Sequence, residues 1–250
     1  MPDLLPAAFL AAAGVVAGII GTAGGITSLV AYPALLAAGI PPLTANVTSS
    51  VALLGSGVGS ALRAAPDLAG HSRTLRVWLP PTVLFSLAGA VLLVVTPSGV
   101  FDRVVPFLVA TGSILLLGQP LVSRWLARRG RGVHPLLVGV VGALVASYNG
   151  YFGAGSGILM IALLLMTTEP ALHRANALKN VILVAADLLP AVLFAVLGVV
   201  VWHAAIALGV GAFLGGLIGP SIARRVPAAI LRVLIGACGL GLAAYLLVAG

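Results

Sequence analysis

The chain has 250 residues, of which 61% are hydrophobic and 7% charged, with a formal net charge of +8. Mean hydropathy is +1.21. A soluble domain carries about 25% charged residues, so 13 basic and 5 acidic side chains cannot clothe a water-facing surface. An ordinary soluble enzyme is excluded. So is a nucleic-acid binder: phosphate recognition needs a solvated basic face, and the arginines here stand in short gaps between apolar runs. What remains is an all-α polytopic membrane protein. The single cysteine, Cys238, lies in an apolar run and leaves no disulfide framework or thiolate metal site. The start, Met1-Pro2-Asp3-Leu4, lacks the basic region of a cleaved signal peptide.

A hydrocarbon core about 30 Å thick takes roughly 20 residues of helix. Eight apolar segments follow in order: 4–38, 43–62, 77–96, 100–120, 134–168, 175–198, 203–223 and 227–249. Segments one and five are about 35 residues each, too long for one crossing and too short for two full ones. Each is interrupted by glycine, at Gly21-Thr22-Ala23-Gly24-Gly25 and at Gly150 to Gly157. Each glycine costs a helix interior about 1 kcal/mol relative to alanine, so both clusters predict helix breaks. Close helix packing of the small-xxx-small kind competes with that reading. It is the better one where the spacing is helical, at Gly55-x-x-x-Gly59 and Gly211-x-x-x-Gly215-x-x-x-Gly219.

The halves repeat. Gly21 to Ile26 matches Gly153 to Ile158, Ala45-Asn46 matches Ala175-Asn176, Trp78 matches Trp202, and Arg103-Val104 matches Arg232-Val233. Lys and Arg collect in cytoplasmic loops. Eight single crossings would strand Arg103, Arg174, Arg224, Arg225 and Arg232 outside; if segments one and five return to the side they came from, only Arg103 stays out. The expected fold is thus two inverted repeats, each a broken or re-entrant first segment plus three transmembrane helices. The first half covers 1–122, a basic cytoplasmic linker 123–133, and the second half 134–250. Both termini are then extracytoplasmic, with the chain in the plasma (inner) membrane. Two short crossings in place of each hairpin would give the same parity.

A broken helix frees backbone N–H groups at the start of its second half, where the dipole also favours anions. Gly24, Gly25, Ile26 and Thr27 head one such half-helix, and Gly155, Ser156, Gly157 and Ile158 the other. Protein groups or water could satisfy these donors instead. A second polar set opens segments two and six: Asn46, Ser49 and Ser50, then Asn176, Lys179 and Asn180. Amides and hydroxyls at such places are helix caps or ligands. Lys179 either contacts an anion or snorkels to the interface. Asp187 is the only acid deep in an apolar run, eight residues and roughly 12 Å beyond Lys179. It is either a proton-coupling carboxylate or a structural acid. Asp67, Asp102 and Glu169 lie in gaps and read as solvated, and the four histidines at segment ends show no metal spacing. Tyr148, Asn149, Tyr151 and Phe152 either wall a pocket or pack as aromatic filler.

Read together, Gly24-Gly25, Tyr32-Pro33-Ala34-Leu35-Leu36, Gly39-Ile40-Pro41-Pro42, Ala45 to Ser50, Gly150 to Gly155 and Lys179-Asn180 resemble the sulfite exporter family, TauE/SafE, over essentially the whole chain. The resemblance implies export of sulfite, sulfoacetate or a related organosulfonate. Its first glycine run is shorter than the family's usual three, and Ser156 stands where some members carry glycine. Both departures bear on the substrate more than on the fold. The expected function is a secondary transporter for such an anion, either proton-coupled, with Asp187 the candidate carboxylate, or uncoupled. A passive anion channel or uniporter for a different small anion is the alternative. An intramembrane enzyme is disfavoured, as no His, Asp and Ser occur at catalytic spacing, and cation transport is opposed by Lys179 near Asp187. The expected partners are a small anionic substrate and the lipid bilayer, with a homodimer left open; no cofactor is expected.

Overall fold

The computed structural model describes residues 4–24, 27–128, 134–169, 171–223 and 228–249. Among them it is all helical, with ten α-helices and no strand. These are α1 Leu4–Gly24, α2 Ser28–Ala37, α3 Pro42–Ala64, α4 Ser72–Val95 and α5 Ser98–Arg128, then α6 Pro135–Tyr151, α7 Ser156–Thr167, α8 Leu172–Val196, α9 Trp202–Ala223 and α10 Ala228–Ala249. Segments one and five are indeed each two helices. Four stretches are long and apolar enough to cross a membrane by length and composition: Ser72–Val95, Ser98–Leu121, Leu172–Val196 and Trp202–Gly219. Prolines that lack an N–H stand at the first position of α3 and α6, where no intrahelical donor is needed. Helices α4 and α5 run past their apolar segments into Ser72–Arg76 and Leu121–Arg128. At 1.5 Å per residue α5 exceeds a 30 Å core by roughly half, so helix continues where the polar composition had suggested loop.

The glycines report direction. Ala11 faces Gly211, Val15 faces Gly215, and Gly18 lies by Gly215 and Gly216, so α1 and α9 run parallel. Gly55 faces Gly209 and Gly59 faces Phe213 and Leu217, so α3 parallels α9 as well. Helix α2, between α1 and α3, therefore runs back, and segment one doubles on itself. Pro135 and Val138 at the start of α6 share a groove with Met166 and Thr167 at the end of α7, so segment five doubles back too. A single broken crossing is thereby excluded for both. The helical-spaced glycines are packing positions, as expected: a methyl on Gly59 would stand 2.6 Å from Phe213 O.

Packing joins elements far apart in sequence. Helix α1 lies on α9 and α6 on α4; α3 packs on α9 and α8 on α4; α2 touches α10 and α7 touches α5. Two groups result, α1–α3–α9 and α4–α6–α8, and each mixes the halves. A buried cluster with Tyr32, Leu35, Phe101, Phe152, Phe194 and Leu208 fills the centre. A second cluster gathers Trp78, Met160, Leu164, Leu178 and Ile182. Outward positions such as Leu84, Ile114, Val192 and Ile206 are apolar and exposed, as a bilayer-facing surface requires.

Glu169 corrects its expected solvation. It is 5% exposed, it accepts from Ala171 N at 2.9 Å, and it pairs with His71 Nε2 at 2.7 Å. Those bonds, the Ala171 N–H first, hold its carboxyl below the usual range. The pair ties the turn before α4 to the turn before α8.

Candidate functional site

The two breaks meet. A Cβ on Gly153 would lie 3.7 Å from Ser28 Oγ, so the turn after α6 faces the first turn of α2. Between them is a cavity of about 80 Å³. Helix α1 contributes Gly21, and α2 contributes Ser28 beside its N-cap Thr27. Helix α3 brings Ser56 and Ser60; the second break brings Asn149, Gly153 and Ser156. Helix α8 supplies Lys179, Asn180 and Asp187. The volume suits a few waters, at roughly 10–15 Å³ each, or one small oxyanion, and is far below the roughly 300 Å³ where drug-sized sites begin.

The second break is built from its own residues. Gly153 and Gly155 have φ of 77° and 81°, a left-handed backbone that only glycine adopts without cost. Tyr148 Oη donates to Ala154 O at 2.6 Å and pins the turn. Ser156 Oγ reaches Asn149 Oδ1 at 2.6 Å and Gly153 O at 2.8 Å. Asn149 Nδ2 in turn donates to Asp187 Oδ1 at 2.6 Å and lies 3.4 Å from Ser86 Oγ.

The first break is held from across the interface. Lys179 is 2% exposed, and its Nζ donates to Gly21 O at 3.4 Å. Gly21 is in the last turn of α1, where carbonyls lack intrahelical partners and the dipole favours a cation. Lys179 therefore does not snorkel. Among the described residues this buried ammonium has one carbonyl partner, a costly arrangement unless more negative charge arrives.

Of the expected site residues, Thr27, Ser156, Lys179, Asn180 and Asp187 converge on this cavity. Gly24 ends α1, while Gly25 and Ile26 lie outside the described residues. Asn46, Ser49, Ser50, Gly155, Gly157 and Asn176 do not line the cavity. Asn46 Nδ2 caps the end of α6 through Tyr151 O at 2.9 Å. Ser49 and Ser50 donate to Asn46 O at 2.8 and 3.0 Å. Gly155 supplies the left-handed N-cap of α7. The sequence reading passed over Gly21, Ser28, Ser56 and Ser60, and left Asn149 between pocket wall and filler. The signal for Asn149 was present: a primary amide in an apolar run needs partners as much as Asp187 does.

Residues 7–246 match the sulfite exporter TauE/SafE family. This chain belongs to that family. It is 28% identical to a probable membrane transporter protein, ORF9, of Sinorhizobium sp, over 96% of this chain and 92% of the relative. A probable membrane transporter protein of Haemophilus influenzae is 26% identical, covering 93% and 90%. The probable membrane transporter protein YfcA of Escherichia coli K12 is also 26% identical, covering 94% and 86%. No solved structure matches. The chain is thus a helical membrane protein of a transporter family.

Proposed function

We propose that this chain is a secondary carrier exporting a small sulfur-containing anion across the plasma membrane, with the anion held in the cavity between the two breaks. The observation that carries this reading is Lys179: a buried cation, bonded to one carbonyl among the described residues, in a cavity of oxyanion size lined by hydroxyls and amides. The family's description as sulfite exporters supports the substrate class. The cavity size favours sulfite over the longer sulfoacetate. Thr27, Ser156 and Asn180 complete the contact set, while Asn46 and Gly155 hold the second break in shape.

The contact pattern supports inverted repeats, since α1 on α9 is answered by α6 on α4, and α3 on α9 by α8 on α4. With both first segments doubled back, the Arg-rich ends face the cytoplasm and both termini face out. The cavity divides the α1–α3–α9 group from the α4–α6–α8 group, so alternating access rocks these groups, not the sequence halves. An inside-negative potential favours export of each negative charge by about 2.3 kcal/mol per 100 mV.

The test is a thermal-shift panel on purified protein with sulfite, sulfoacetate, taurine, sulfate and thiosulfate. Sulfite raises the melting temperature of the wild type and leaves Lys179→Ala unmoved. If no anion stabilises the wild type, the site is wrong. Counterflow of labelled sulfite in proteoliposomes separates a carrier from a channel.

A further inference from the structure

We propose that Asn149 is the positioning residue that couples a proton on Asp187 to the anion, by turning its amide and so releasing the hydroxyl hydrogen of Ser156 to the ligand. This rests on the cavity being the anion site.

The argument is one of donors and acceptors. Asn149 Nδ2 donates to Asp187 Oδ1, so that carboxyl oxygen acts as an acceptor, as in the ionised acid. The amide oxygen then faces Ser156 Oγ at 2.6 Å. Ser156 has one hydrogen and two acceptors in reach, Asn149 Oδ1 and Gly153 O at 2.8 Å. With Asp187 ionised, that hydrogen is taken by the amide oxygen, for which Ser156 is the donor in reach among the described residues.

A proton arriving on Asp187 converts it to a donor. The amide is nearly symmetric in shape, so a half-turn exchanges its oxygen and nitrogen within the same space. Asn149 Oδ1 then accepts from Asp187, and the hydroxyl of Ser86, now 3.4 Å from the nitrogen, serves the amide as donor instead of acceptor. Asn149 Nδ2 donates to Ser156 Oγ. The Ser156 hydrogen is freed, to be given to Gly153 O or to an anion in the cavity. Charge works in the same sense. Lys179 is the other charged side chain among the described residues lining the cavity, which α1, α2, α3, α6 and α7 line only with neutral groups. The hydroxyl of the nearby Tyr148 is bonded to Ala154 O. Neutral Asp187 leaves the positive charge of Lys179 unopposed. Proton and anion therefore bind together, and Ser156 at the second break is the residue through which the proton is felt.

The experiment is calorimetric titration of thiosulfate, which holds no titrating proton near neutral pH, in buffers of different ionisation enthalpy and across pH. The wild type takes up a proton on binding, and its affinity falls by up to about tenfold per pH unit where Asp187 titrates. Asp187→Asn loses the share of proton uptake and pH dependence that belongs to Asp187 and keeps only what the buried Lys179 takes up beside the anion. Asn149→Ala and Ser156→Ala still bind, but each cuts the affinity ratio between the acid and alkaline limbs by about tenfold, the worth of one hydrogen bond to a charged group. Combining the two cuts it no further. If Asn149→Ala fails to fold, Ser156→Ala carries the same expectation. A wild-type slope retained in Ser156→Ala overturns the relay and leaves the anion site standing. Binding by the wild type without proton uptake overturns the coupling. Failure of both thiosulfate and sulfite to bind the wild type at any pH overturns the site itself.

Discussion

The two helix breaks face one cavity and are stabilised in opposite ways. The break after α6 is held largely by its own residues, two left-handed glycines, a tyrosine hydroxyl on Ala154 O and a serine folded back on Asn149, with Asn46 of α3 adding one bond to Tyr151 O. The break after α1 depends on another element, for Lys179 of α8 donates to the carbonyl of Gly21, and N-cap Thr27 makes no side-chain capping bond. One break is fixed by hydrogen bonds and glycine backbone; the other is completed by a cation that an anion would also seek. Charge thus stands on one side of the cavity and shape on the other.

Lys179→Ala strikes the charge side and has the largest expected effect. Anion affinity falls by roughly 1.5–3 kcal/mol, the range for a hydrogen bond to a charged group, while resistance to SDS unfolding falls by less, because loss of the bond to Gly21 O is offset by removal of a buried cation. Equal losses of affinity and stability would mean that Lys179 is structural. Gly155→Ala strikes the shape side. A left-handed non-glycine residue costs roughly 1–2 kcal/mol, and the new methyl would stand 3.3 Å from Gly112 Cα. Unfolding in SDS should show that loss, with the remaining folded protein still binding anion. Tyr148→Phe removes one hydrogen bond from the same turn and should cost about 1 kcal/mol by the same measurement.

Smaller effects probe what lies outside the contrast. The Glu169 carboxyl is held low in the folded state, so its stabilisation is present above the unfolded value near 4 and is lost as pH falls through the lower folded value. Glu169→Gln should lower the neutral plateau of a melting-temperature profile, leave its acid end little changed, and so flatten the acid limb. Thr27→Ala should have the least effect on stability, well under the roughly 0.5–2 kcal/mol of a working cap, because no capping bond is present to lose. A large loss there would show that the first break is as self-contained as the second.

How much of this was legible differs by residue. Both breaks were, because glycine clusters inside 35-residue apolar runs leave few other geometries. The doubling back was legible through arginine placement and not through local sequence. Lys179 stood in the right helix, but its direction was hidden: from the sequence, an ammonium four residues into a span reaches the interface as readily as the interior. Ser56 and Ser60 were hidden by Gly55 and Gly59, whose spacing announced packing on one helix face while the serines lined the cavity. The reverse held for Asn46, Ser49 and Ser50. Their density suggested ligands, yet Asn46 serves a helix end in the other half and the serines bond back to its carbonyl.

The seating of α9 along both α1 and α3 sets the order of assembly during synthesis. Gly14 and Gly18 wait for partners at Leu208 to Gly216, a delay of roughly 10–40 s at 5–20 residues per second. Throughout it, the first half lies in the bilayer with a strip of bare backbone facing lipid. No hydrocarbon chain can bond those carbonyls any better than the helix already does, so the strip is inert but unlocked. The first half is then a provisional structure, and the last third of the ribosome's work makes it permanent. Genes cut between α5 and α6 should yield a transporter only when both pieces are made in the same membrane.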